Sequence, residues 1–221
     1  MTTRTRRAGA AVAALGMVAA TILALAAAPV GADQAGKPPP APPAGPVLAV
    51  AGPFTGTGTL TTECSVFHQV VNGSGDWTAL GASTLLLDFC TASDQGTNHW
   101  PIYAAGFTIT AADGGQLTGD MSGFVEAGGF GPEFPLHFTL TVTGGTGSLA
   151  GATGSIAMEG AFGFAAATVH GTVDGSVTLP PPTPASAQDC KSGGWRDLVD
   201  DHGDGFANQG DCVAWANHHL A

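Results

Sequence analysis

Between Pro38 and Cys190 the chain contains no lysine and no arginine. A surface without cations cannot neutralise phosphates, which excludes nucleic acid as a partner. The same shortage argues against docking on an anionic membrane. Beyond residue 32 no stretch is long and apolar enough to span a bilayer. No two of the four cysteines stand two to four residues apart, so the spacing of a zinc site is missing. No serine has the Gly-x-Ser-x-Gly surroundings of a nucleophile elbow. No helical period interrupts the middle of the chain. These gaps leave no catalytic residue, cofactor site or metal-ligand set to assign.

What is present begins with an export signal. Arg4, Arg6 and Arg7 form a positive start, and Ala10 to Ala28 form an uncharged apolar stretch. Val30-Gly31-Ala32 supplies the small residues of a cleavage point, so residues 1–32 are expected to be a signal peptide. The Arg6-Arg7 pair is reminiscent of twin-arginine export, but the residues after it fit that pattern poorly. The absence of a cysteine at the cleavage region argues against a lipid anchor. After cleavage, Lys37, Lys191 and Arg196 are the only basic residues against all 17 acidic ones, a net charge of −14. Such a protein stays soluble by self-repulsion. The expected location is extracellular.

Two proline-rich runs divide the remainder. Residues 33–46 ("DQAGKPPPAPPAGP") and 180–188 ("PPPTPASAQ") read as linkers. They bracket one domain, 47–179, and leave a small C-terminal element, 189–221. The domain reads as strands. Phe134, Leu136, Phe138, Leu140 and Val142 alternate with Pro135, His137, Thr139, Thr141 and Thr143. Val169, Val173 and Val177 alternate with His170, Thr172, Asp174, Ser176 and Thr178, and Phe107, Ile109 and Ala111 with Thr108 and Thr110. A period of two over such lengths means strands with one buried face. Asp113-Gly114 predicts a hairpin turn into a strand over Gln116 to Glu126. Gly119, Gly123, Gly160, Gly171 and Gly175 fall inside strands, where they permit the bends of a small closed barrel. The expected fold is therefore all-β, an antiparallel barrel or sandwich, and closure would hide edges that lack protective lysines.

Gly144, Gly145, Thr146 and Gly147 end one strand, Gly151, Ala152, Thr153 and Gly154 open the next, and "HGTVDGSVTL" (170–179) follows. This arrangement resembles the end of the allene oxide cyclase and dirigent type of β-barrel and its bacterial relatives. The usual basic-aromatic pair between the turns is replaced here by Ser148-Leu149. The resemblance covers about a third of the domain. It implies a small antiparallel barrel and speaks for fold more than activity, because such folds host unrelated functions.

The C-terminal element carries Cys190, Lys191, Gly193, Gly194, Trp195, Phe206, Asn208, Gln209, Gly210, Cys212 and Val213. These residues resemble a short Cys-Lys-x-Gly-Gly-Trp…Asn-Gln-Gly-x-Cys-Val element of secreted bacterial proteins. Asp200, His202, Asp204, Gly205, Asn208 and Asp211 also fall at positions 1, 3, 5, 6, 9 and 12 of a calcium-loop spacing. However, His is a poor ligand for a hard cation, and the last position holds Asp rather than a bidentate Glu. A cysteine-tethered knot is preferred, with weak calcium binding at Asp200, Asp204 and Asp211 left open.

Four cysteines in an exported chain allow three pairings. Pairing within each segment is expected, Cys64 with Cys90 and Cys190 with Cys212. Each bridge stabilises its segment by roughly 3 to 4 kcal/mol in the chain-entropy model. His137 and His170 lie on the polar phase of their strands and could be neighbours, but scattered surface histidines are the simpler reading. Glu63, Glu126 and Glu159 could act as general acids, although nothing in the sequence pairs them. Asn72-Gly73, within the sequon "NGS", reads as a tight turn. The functional expectation is a non-enzymatic binding or surface-interaction module for a small apolar ligand or a cell-surface partner. Two alternatives stand beside it: a cyclase- or isomerase-like enzyme with an apolar substrate in the barrel, and a calcium-stabilised adhesion protein. An enzyme would place an ionisable group on the inward phase of a strand.

Overall fold

A computed structural model describes residues 41–94, 96–126 and 132–220. The expected signal peptide and most of the first proline-rich run lie outside these residues. Eight strands follow one another: β1 (Val47–Thr61), β2 (His68–Trp77), β3 (Gly81–Thr91), β4 (His99–Thr110), β5 (Gln116–Glu126), β6 (Glu133–Thr146), β7 (Thr153–Gly163) and β8 (Thr168–Thr178). Each pairs antiparallel with its neighbours in sequence, and β1 pairs with β8 to close a barrel. Closure leaves no free edge, which answers the lack of lysines. Among the described residues there is one α-helix, α1 (Gln209–His219), in the C-terminal element.

The period-two pattern places the core. Val50, Phe54, Val71, Leu85, Leu87, Phe89, Leu136, Phe138, Leu140, Ile156, Met158, Val173 and Val177 are buried inside, while threonines and serines such as Thr55, Ser74, Thr84, Thr139 and Ser155 alternate outside. In β4 the buried phase changes. Trp100 and Ile102 pack against the core from even positions, whereas Phe107 and Ile109 do so from odd ones. The register shift between Pro101 and Gly106, with Ala104 at φ 46°, inserts the residue that makes this change.

The Asp113-Gly114 turn forms as expected. Gly114 has φ 90°, the Gly115 amide donates to Asp113 Oδ1 at 2.8 Å, and β5 begins at Gln116. Asn72-Gly73 is not a turn. It lies in the middle of β2, where Asn72 is opposite Thr57 on β1 and Leu86 on β3. Two flanking ladders hold the pair extended and override its local preference. The chain reverses instead at residues 78–80, with Ala79 at φ 62° and the Leu80 amide donating to the Trp77 carbonyl.

Side chains fill the barrel. Phe89 meets Phe138 edge to face at 5.1 Å between ring centroids, and both are fully buried. Glycines make room for the largest rings. A Cβ on Gly75 would strike the Trp77 indole, and one on Gly58 would lie 2.8 Å from Phe162 Cε2.

Both expected disulfides are present. Cys64–Cys90 ties the loop after β1 to the end of β3, and Cys190–Cys212 joins the start of the C-terminal element to α1. Around the second bridge Leu198, Phe206 and Ala216 form a small separate core. Asn208 caps α1 by accepting from the Asp211 amide at 3.0 Å. Residues 180–188 run along this element: the Pro182 carbonyl accepts from the Val199 amide and Pro184 is buried.

Candidate functional site

Because the strands alternate in direction, every second loop lies at the same end of the barrel. At one end are the start of β1, the end of β2 and the turn into β7. Here Trp77, Leu80, Leu149 and Ala152 are buried, and Trp77 Nε1 donates to the Pro53 carbonyl at 2.9 Å. That end is sealed and its polar group is satisfied.

The opposite end is built of aromatic rings. Phe67 follows the loop after β1, Trp100 opens β4, Phe134 opens β6, and Phe162 and Phe164 stand at the end of β7. Their centroids are 5.7 Å apart for Phe67–Trp100, 5.8 Å for Trp100–Phe134, 6.0 Å for Phe134–Phe164 and 6.1 Å for Phe67–Phe164. Beneath them, with Leu60, Gln69, Thr91 and Val125, is a cavity of about 20 Å³, room for about one water molecule. Phe164 is 50% exposed on the turn before β8. Phe67 is held more firmly. Its amide donates to Thr91 Oγ1, its carbonyl accepts from the Thr91 amide, and the Cys64–Cys90 bridge closes the loop beside it.

Gln69 lies under the rings at 4% exposure, and its Nε2 has no hydrogen-bond partner among the described residues. The other buried polar side chains, Ser83 and Thr91, donate to backbone carbonyls. No ionisable side chain among the described residues is buried. In the sequence Gln69 is one polar residue in "HQVVNG", and its depth follows only from the register that sets it opposite Phe89.

The ionisable groups are outside. His137 Nδ1 faces Glu159 Oε2 at 2.5 Å, and its Nε2 faces Glu126 Oε1 at 3.1 Å. Two of the glutamates with no sequence partner are thus brought together around one histidine, across β5, β6 and β7. His137 and His170 are not on neighbouring strands, because β7 runs between them. Phe124 stacks on His99 at 4.1 Å and lies 4.9 Å from the His137 ring. Near the Cys64–Cys90 bridge, His68 sits 2.7 Å from Asp88 and 3.4 Å from Glu63. The Asp88 hydrogen bond, helped by both negative charges, raises the His68 pKa above its ordinary value.

In the C-terminal element, Asp200, Asp204 and Asp211 do not form a converging group of carboxylates among the described residues. Asp200 Oδ1 accepts from the amides of His202 and Asp204. Asp211 belongs to the start of α1, where its carboxylate accepts from Asn208 Nδ2. The groups that converge are Asp200, Asp201 and His202, within 4.8 Å of one another.

Comparison with known proteins adds little to this geometry. No family model and no curated protein matches the chain. Among solved structures, that of the pterocarpan synthase dirigent protein GePTS1 is similar at 12% identity and a TM-score of 0.36, over 62% of this chain and 92% of that one.

Proposed function

We propose that the protein is an exported, non-enzymatic binding module that takes a small apolar ligand at the aromatic end of its barrel. The observation that carries this reading is the contrast in how the barrel is filled. The interior is packed with side chains and, among the described residues, its buried polar groups are not ionisable, so they offer neither room nor an acid–base group for chemistry on an enclosed substrate. The aromatic end concentrates five rings around a small void and leaves one of them, Phe164, half in solvent. Two disulfides and no free cysteine among the described residues suit an oxidising compartment, and the N-terminal sequence supplies the export signal.

The test is a titration with a naphthalene-based probe, followed by calorimetry, on the mature protein and on Trp100→Ala and Phe134→Ala. Saturable binding that weakens about tenfold or more in each variant is expected, since ring contacts dominate such sites. Binding of the probe that is unaffected by both variants would place the ligand elsewhere.

A further inference from the structure

Gln69 is the feature of the aromatic end that packing does not account for. A buried amide with an unpaired N–H is costly, and an apolar residue of similar size would avoid that cost. The surrounding structure nevertheless makes space for it: residue 58 is a buried glycine whose Cβ, if present, would lie 3.3 Å from Gln69 Nε2 and closer still to Phe162. Gln69 is among the residues that line the small cavity under Phe67, Phe134 and Phe164. Resting on the binding role proposed above, we infer that Gln69 is the specificity-determining residue of this end. Its N–H selects apolar ligands that carry a neutral hydrogen-bond acceptor, such as a ketone or ether oxygen.

Neutrality follows from the charge distribution. No lysine or arginine occurs between Pro38 and Cys190, so an anionic acceptor would be buried without a counter-charge. A hydroxyl or amide ligand would bring a donor of its own, which the Gln69 amide oxygen can accept, whereas Thr91 Oγ1 already donates to the Phe67 carbonyl and accepts from the Phe67 amide. Entry requires one ring to move, because the cavity holds only about a water's volume. Phe164 is that ring: it is half-exposed and on a turn, whereas Phe67 is pinned by the Thr91 hydrogen bonds and the neighbouring disulfide.

The experiment uses three probes of one shape, 2-acetylnaphthalene, 2-isopropenylnaphthalene and 2-naphthoate, titrated calorimetrically into the mature protein and into Gln69→Leu. In the unsubstituted protein the ketone should bind about five- to tenfold more tightly than its hydrocarbon isostere, the effect of one hydrogen bond made to an otherwise unpaired donor. The carboxylate should bind more weakly than the ketone. In Gln69→Leu the ketone's advantage should disappear while the hydrocarbon binds as well or better. Should Gln69→Leu fail to fold, Gln69→Met gives the same comparison with a more adaptable side chain. Equal binding of ketone and hydrocarbon to the unsubstituted protein would overturn the inference alone, leaving the amide to a buried water. So would a ketone advantage that survives in Gln69→Leu. If neither neutral probe binds, the binding role of the aromatic end fails, and the inference with it.

Discussion

The two ends of the barrel solve the same problem differently. Each must cap a core of Leu, Phe, Ile and Val, and each uses an indole beside smaller apolar groups. At the Trp77 end the ring is 1% exposed, Gly75 is shaped around it, and its N–H reaches the Pro53 carbonyl. At the Trp100 end the rings form a shell over a small void, one of them stands half in water, and a glutamine amide beneath is unpaired. At the Trp77 end the buried indole donor is satisfied; at the Trp100 end the binding role proposed above assigns the partner of the unpaired amide to a ligand. Stability and binding are therefore expected to separate along the barrel axis.

The largest contrast is predicted for paired truncations. Trp77→Ala should cost about 3–5 kcal/mol, because it removes a buried ring and strands the Pro53 carbonyl. Phe164→Ala should cost about 1 kcal/mol or less, since half of its ring is already solvated. Denaturant melts of the two variants test this, and equal losses would erase the distinction between the ends.

The Cys64–Cys90 bridge closes the loop beside the aromatic end. Replacing both cysteines with serine should remove roughly 3 kcal/mol. Amide exchange should accelerate most at Val66, Phe67 and Thr91, which bond across that loop. Uniform acceleration around the barrel would show that the bridge acts on the whole fold rather than on this end.

Gln69→Leu is expected to be neutral or to stabilise the ligand-free protein by about 1 kcal/mol, because it removes an unpaired buried donor. A loss of more than about 1 kcal/mol would mean that the amide has a structural partner, and it would weaken the case for a ligand.

The smallest effect is electrostatic. The folded-state pKa of His68 is raised by Asp88, with Glu63 contributing. A raised value means that its contribution is fully present below the unfolded histidine pKa of about 6.5. That contribution is lost as pH rises through the folded value. The melting temperature should thus carry a slight downward slope above about pH 6.5. His68→Asn should remove that component, whereas His170→Asn should leave it. Exposure of the pair keeps the effect small.

Strand identity was plain in the primary structure because period-two burial is local. Phe134 to Val142, Val169 to Val177 and the Asp113-Gly114 turn announce their elements, and the cysteines sort themselves by segment. Asn72-Gly73 misled for the opposite reason: a dipeptide's turn preference is weaker than two flanking ladders. Whatever depends on which residues meet across strands had no local sign. Closure of β1 on β8, the bulge that changes phase within β4, the gathering of Glu126 and Glu159 around His137, and the depth of Gln69 all arise from register between segments tens of residues apart. An alternating strand states which face is buried. What that face meets, and whether an amide among those neighbours finds a partner, depends on the barrel as a whole.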